Sequence, residues 1–207
     1  MTRTYNRTKR LIDLAVVIPA AVASLPLQAA LAVAVAVKLG RPVLFTQDRP
    51  GLHGEAFRLV KFRTMLSPDP ARGLTDDRSR LTPFGHALRS TSLDELPTLW
   101  NILRGDMSLV GPRPLLVQYL NLYSEEQARR HEVVPGLTGL AQVAGRNSLS
   151  WERKLQLDVE YVDRRSLKLD FAILVATVAT VLRRQGVSAP GDVTMPEFSG
   201  SDEQVPR

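Results

Sequence analysis

The sequence predicts a mainly helical α+β chain with an N-terminal helix that enters a membrane, a short β-hairpin, and amphipathic helices around one compact domain. Three observations predict it. An apolar run from Leu14 to Val37 carries basic flanks, two β-prone stretches enclose a turn near Pro50, and helical patterns follow from Pro97 onward. A chain of 207 residues is long enough for one sizeable core. No internal repeat or second core is visible. The expected division is residues 1–40 as a membrane anchor, 41–186 as the main domain and 187–207 as an irregular, polar tail.

The run Leu14–Val37 is long enough to cross a bilayer and too long for a signal-peptide core. Pro19 and Pro26 lie inside it, with Ser24 and Gln28 beside the second. Proline removes a backbone donor and clashes with the preceding turn, so it kinks or breaks a helix. Arg3, Arg7, Lys9 and Arg10 precede the run, and Lys38 and Arg41 follow it. Positive flanks favour the cytoplasmic side. Two courses are open. The helix spans the bilayer, or it enters and returns as a hairpin broken at Pro26, with Ser24 or Gln28 satisfying the freed carbonyls.

Val43-Leu44-Phe45 and Phe57-Arg58-Leu59-Val60 read as strands around the turn Asp48-Arg49-Pro50-Gly51. Ser67–Arg80 is polar and reads as a surface loop. Helices are expected at Pro97–Leu103, Leu115–His131, Ser150–Arg164 and Asp170–Arg184, the second with Arg129 and Arg130 on a solvated face. Asp170 is a candidate N-cap for the last. That helix is apolar on nearly every face and too short to span. A buried core helix is the favoured reading, and a helix lying at the membrane interface is the alternative. The glycines of Val134–Val143 read as a tight turn.

The absence of cysteine excludes disulfides and thiolate metal sites. The formal charge of +6 is compatible with nucleic acid, anionic lipid or a phosphorylated ligand. His53, His86 and His131 lack metal-ligand spacing and read as structural or exposed.

Asp94-Glu95 is the candidate reactive pair. Ser92 and Glu95 match a capping box, which would make both acids ordinary helix-start residues. Pro97 argues against that frame, because proline suits the first helical position far better than the fifth. With Pro97 first, the two acids lie in the approach to a helix. Adjacent helix residues do not share a face, so the pair does not resemble two carboxylates flanking one bond. One could attack phosphorus to form an acyl phosphate, provided cations screen the two anions. Lys61, Arg63, Arg89, Arg113 and Arg146 are the candidate cations, with magnesium as a further one.

Lys9-Arg10-Leu11-Ile12-Asp13, Lys61-Phe62-Arg63-Thr64-Met65, Ser92-Leu93-Asp94-Glu95-Leu96, Gly105-Asp106-Met107-Ser108, Val110-Gly111-Pro112-Arg113-Pro114 and Pro135-Gly136-Leu137-Thr138-Gly139 occur in that order. In these motifs the chain resembles the bacterial sugar transferase family, the small monotopic phosphoglycosyl transferases. Gly145-Arg146-Asn147 and the segments 186–188 and 198–200 resemble the subgroup that transfers bacillosamine phosphate. The resemblance implies a UDP-sugar donor, undecaprenyl phosphate as acceptor, release of UMP and a requirement for Mg2+. It implies a re-entrant helix with its break at Pro26, interfacial helices around a catalytic domain, and a phospholipid bilayer, the bacterial inner membrane, approached from the cytoplasm. It makes Asp94 the nucleophile and a metal-facing acid, Glu95 its dyad partner, Arg89 and Arg113 active-site cations, and Lys61 an accessory. Arg113 and Pro114 match a motif linked to the uridine end. Leu25 and Leu140 depart from the family's usual serine and tryptophan. A non-catalytic assembly subunit and a membrane-tethered nucleic-acid binder are the alternatives. The second lacks any recognition motif, so no nucleic-acid partner is expected.

Overall fold

A computed structural model of the chain describes residues 2–145, 148–183 and 197–200. Arg146, Arg184 and nearly all of the tail 187–207 lie outside the described residues. The first element, α1, runs Thr2–Leu39 and continues through Pro19 and Pro26. The secondary structure is thus unbroken where a break was expected. Ser24 Oγ donates to Ala21 O at 3.0 Å, and Gln28 Nε2 donates to Ser24 Oγ at 2.9 Å, so a polar pair stands beside Pro26.

The hairpin pairs β1 (Leu44–Pro50) with β2 (Ala56–Phe62), Leu44 opposite Phe62 and Pro50 opposite Ala56. Asp48, Arg49 and Pro50 are strand residues rather than turn residues. The reversal lies at Gly51–Glu55, where Gly51 N donates to Glu55 O at 2.7 Å. The polar stretch after Ser67 holds α2 (Asp77–Arg80), opened by a capping box between Asp76 and Ser79. α3 (Pro83–Ser90) is not among the expected helices. Thr82 caps it and Pro83 takes its first position, both recognisable start signals.

A 3-10 helix over Leu93–Thr98 leads directly into α4 (Leu99–Arg104). Pro97 therefore does not open the helix, and Asp94 and Glu95 stand inside its first turn rather than before it. Ser92 makes no side-chain cap. Proline forbids the α-type bond from residue 97 back to Leu93, and the segment winds as 3-10 instead. β3 (Ser108–Val110) comes next.

The single helix expected over Leu115–His131 is broken. Ser124 starts a new capping box with Gln127, which separates a 3-10 turn at Val117–Leu122 from α5 (Glu125–Ala128). Arg129 is half-buried and paired with Glu126 and Glu132, and Arg130 is buried, pairing with Asp158 at 2.7 Å, contrary to the solvated reading. β4 (Gly136–Thr138) runs parallel to β3, so the glycine-rich segment is a strand rather than a tight turn. A Cβ on Gly136 would lie 2.0 Å from Gly111 N, which explains the glycine by close backbone approach. α6 (Leu140–Ala144), α7 (Trp151–Arg164) and α8 (Leu167–Arg183) complete the described chain. α7 matches the helix expected over Ser150–Arg164, with Ser150 as its N-cap rather than its first residue. Asp170 does not cap α8. Ser166 accepts from Leu169 N, and Asp170 is buried one turn in.

α1 is part of the domain's packing. Val17 and Ala21 join Ile102, Val110, Tyr161 and Ile173 in the main core, while Val35 and Leu39 join Phe62 and Leu88 in a second cluster. Polar anchors fasten both ends. Arg10 donates to Ile102 O at 2.5 Å and Leu103 O at 2.8 Å, Asp13 accepts from Ser108 Oγ at 2.7 Å, and Lys9 pairs with Asp170 at 3.0 Å. At the other end the Arg63 guanidinium donates to Leu39 O and Gly40 O. α8 buries Ile173 but exposes Phe171, Val175 and Val178, so it is not the fully buried core helix favoured by its composition.

Candidate active site

The edge of β2 opposite β1 is occupied by side chains of the helical run Leu93–Arg104. Asn101 Nδ2 donates to Arg58 O at 2.8 Å, Asn101 Oδ1 accepts from Val60 N at 3.1 Å, and Thr98 Oγ1 donates to Val60 O at 2.9 Å. The edge strand is thereby paired without another strand. This docking sets Lys61 of β2 opposite Glu95. Lys61 Nζ donates to Glu95 Oε1 at 2.6 Å, and Arg113 Nη2 donates to the same oxygen at 2.8 Å.

Arg113 follows β3 and is itself held. Its carbonyl accepts from the buried Arg130 at 2.6 Å. Arg89 reaches the site from α3, where its Nε donates to Thr64 Oγ1 at 2.9 Å. Gly85 permits that approach, because a Cβ there would lie 1.8 Å from Thr64 O.

Asp94 differs from its neighbour. It is 9% exposed and accepts no hydrogen bond from any described residue. Burial, followed by the charge of Glu95, pushes its carboxyl up to about 6 against the opposing pull of Lys61, Arg113 and Arg89. Burial also works against Glu95, but Lys61 and Arg113 outweigh it and hold that carboxyl well below the usual range. Burial lowers Lys61 despite its pairing with Glu95. The pair is therefore asymmetric. Glu95 is a fixed anion that positions two cations, and Asp94 is a desolvated carboxylate left open to a ligand.

Asp94, Glu95, Lys61, Arg89 and Arg113 line one cleft of about 1120 Å³. Arg63 also lines it, but its guanidinium is engaged with Ser67 and the end of α1. Pro114 is buried beside Arg113. Pro26 is not among the cleft residues. His131 is buried with Nδ1 3.3 Å from Gly51 O, a structural place, as expected. No group of three or more His, Cys or acidic residues able to hold a metal occurs among the described residues. Mg2+ characteristically takes one or two carboxylates plus substrate phosphates rather than a protein cage. The unpartnered, desolvated Asp94 fits that habit.

Three lining residues escaped the sequence reading. Arg49 lay in the assumed turn, Gln142 in the assumed glycine turn, and Lys154 on a helix with no assigned role. For Lys154 a signal existed, since helical spacing puts Trp151, Lys154 and Asp158 on one face.

The profile described as "Bacterial sugar transferase" matches residues 4–184. The chain is 55% identical over 170 residues to the uncharacterized sugar transferase EpsL of Bacillus subtilis, covering 82% of this chain and 84% of that protein. It is 41% identical over 188 residues to the UDP-glucose:undecaprenyl-phosphate glucose-1-phosphate transferase of Caulobacter vibrioides, covering 84% of this chain and 69% of that one. It is 39% identical over 165 residues to the undecaprenyl-phosphate galactose phosphotransferase of Salmonella typhimurium. That match covers 71% of this chain and only 35% of the Salmonella protein.

Proposed function

The chain belongs to the bacterial sugar transferase family, and from that premise we propose that it moves a sugar 1-phosphate from a UDP-sugar to undecaprenyl phosphate, releasing UMP. The observation that carries this reading is the split between adjacent carboxylates. Glu95 is locked by Lys61 and Arg113, while Asp94 lines the cleft with no hydrogen-bond partner among the described residues. The activities for which the Caulobacter and Salmonella relatives are named supply the substrate class.

In the first half-reaction a carboxylate oxygen of Asp94 attacks the β-phosphorus of the donor. The new O–P bond forms as the bond to the UMP oxygen breaks, and UMP leaves with the electron pair. In the second, a phosphate oxygen of the lipid attacks the same phosphorus, and the Asp94 carboxylate is regenerated. The difficulty is bringing anions together, and Lys61, Arg89 and Arg113 provide fixed positive charge at that point. Magnesium, when bound, would add phosphate neutralisation beside Asp94.

The same reading places the protein at the cytoplasmic face of the inner membrane with α1 as a re-entrant anchor. Its support is the fastening of both α1 ends to one domain, by Arg10 and Asp13 at one end and by Arg63 at the other. A spanning helix would carry one end roughly 30 Å away, across the hydrocarbon. The exposed apolar residues Val22, Leu25, Leu27 and Val33 of α1, and Phe171, Val175 and Val178 of α8, suit contact with lipid. A non-catalytic assembly role would leave the desolvated Asp94 without a purpose.

The test is to incubate the protein with labelled UDP-glucose, UDP-galactose and a UDP-diacetamido sugar, each without acceptor. Mass spectrometry should find a phosphosugar on Asp94 with one donor, and UMP should appear before the lipid is added. Asp94→Asn should form no adduct. A need for both substrates before any UMP appears, with no adduct, would replace the covalent scheme by direct displacement.

A further inference from the structure

We infer that the carboxamide of Gln142 binds the sugar of the donor, on a neutral wall of the cleft built by β4, α6 and α8. The inference deepens the reaction just proposed and rests on it for the identity of the donor.

Gln142 stands on α6, lines the cleft that holds Asp94, and is 8% exposed. Neither its Nε2 nor its Oε1 has a hydrogen-bond partner among the described residues. A buried amide left in that state costs free energy on both atoms. The backbone nevertheless makes room for it. A Cβ on Gly139 would lie 2.9 Å from Gln142 Oε1 and 2.2 Å from Gly111 O. The amide offers a donor and an acceptor side by side. That suits a hydroxyl or acetamido group, which also donates and accepts.

The surroundings narrow the choice of ligand. Leu137 and Thr138 of β4, Ala141 of α6, and Leu174 and Thr177 of α8 line the cleft with Gln142. Among the described lining residues these three elements contribute no charged side chain and no aromatic ring. The wall thus offers no cation to a phosphate and no ring to a base. An isoprenoid chain would leave the amide buried and unpaired. A hydroxyl also stands here. Thr177 Oγ1 donates its one proton to Ile173 O at 2.7 Å. In its 2.7 Å contact with Thr138 Oγ1, Thr138 is therefore the donor and keeps its lone pairs. Position agrees with chemistry. Leu137 and Leu174 pack into one core cluster with Leu96 and Leu99, from the helical run that carries Asp94. In a UDP-sugar the sugar is one oxygen away from the phosphorus that Asp94 attacks, so it lies beside that residue.

Binding is measured on the full-length protein in nanodiscs, carrying Asp94→Asn so that no donor is consumed. UDP-glucose, UDP-galactose, a UDP-diacetamido sugar and UDP are titrated calorimetrically with Mg2+ present, with and without Gln142→Met. The tightest-bound UDP-sugar should weaken by about threefold or more, as expected for one lost hydrogen bond. UDP should change by less than about twofold, because it lacks the sugar. A smaller loss for the UDP-sugar overturns the inference. So does an equal loss for UDP, which would move Gln142 to the nucleotide. Methionine has nearly the shape of glutamine without its amide, so Tm should hold or rise. A clear fall in Tm would mean that the amide serves the fold, and overturns the inference as well. An Asp94→Asn protein that binds none of the three UDP-sugars defeats the proposed reaction itself, and the sugar contact falls with it.

Discussion

Asp94 and Glu95 are neighbours in sequence and opposites in environment, and pH separates them. Asp94 titrates near 6 in the folded protein against 3.8 for an ordinary aspartate. Between those values the folded state binds more protons than the unfolded state, so stability falls as pH rises through the window. Asp94→Asn should therefore raise Tm at pH 7.5, by at most about 3 kcal/mol of stability, with the gain vanishing near pH 3. Adduct formation by the parent should meanwhile decline as pH drops below about 6, because the attacking carboxylate becomes protonated. Glu95 has the opposite sign. Its depressed pKa stabilises the fold above the usual glutamate range, so Glu95→Gln should lower Tm at pH 7.5. Scanning calorimetry of both variants from pH 3 to 8 checks the pair. An equal shift in both would mean that the two carboxylates share one environment.

At the scale of elements, the site depends on close backbone approaches that side chains would block, Gly85 against Thr64 and Gly136 against Gly111. β3 and β4 pair in parallel over only three residues each, and Gly136 of β4 approaches Gly111 just after β3. Gly111 precedes Arg113, so displacing this pair displaces a site cation. Gly136→Ala puts a Cβ 2.0 Å from Gly111 N and 2.5 Å from Thr138 O. Overpacking against backbone should cost about 3 kcal/mol. Urea unfolding is the measurement, with a Gly73→Ala control to separate packing from backbone strain. Gly73 has nothing within 4 Å of its Cβ position but a φ of 71°, so its smaller loss would reflect strain alone. Signals for α3, α5 and α7 were present in the sequence as Thr82-Pro83, Ser124 with Gln127, and Ser150. Of these elements only α7 was expected with nearly its observed span, while the restart at Ser124 breaks the single helix expected over Leu115–His131.

For the whole molecule, the decisive question is the course of α1. Anchors at Asp13 and at Leu39 tie both ends to one domain. Cysteines introduced singly at Thr2 and Gln47 of this cysteine-free chain should therefore react from the same, cytoplasmic side with an impermeant reagent. Labelling from opposite sides would establish a spanning helix. Pro26→Ala restores a backbone donor and should shift the population toward spanning. Arg63 has a part here that its sequence position beside Lys61 concealed, joining the end of α1 to the strand that carries Lys61.

The amino-acid order alone determined the apolar anchor, the hairpin, the helix α7 and the family. Each of these is written in local composition, periodicity or motif, and local patterns survive without knowledge of distant contacts. It also named the carboxylate pair and most of its cations. Only the tertiary structure decided which carboxylate is committed and which is open, because that depends on Lys61 and Arg113 arriving from residues 34 and 18 positions away. It alone turned Arg63 to the anchor, buried Arg130 against Asp158 and gathered Arg49 and Lys154 into the cleft. Charge at a site is a sum over neighbours in space, and a linear sequence does not contain that sum.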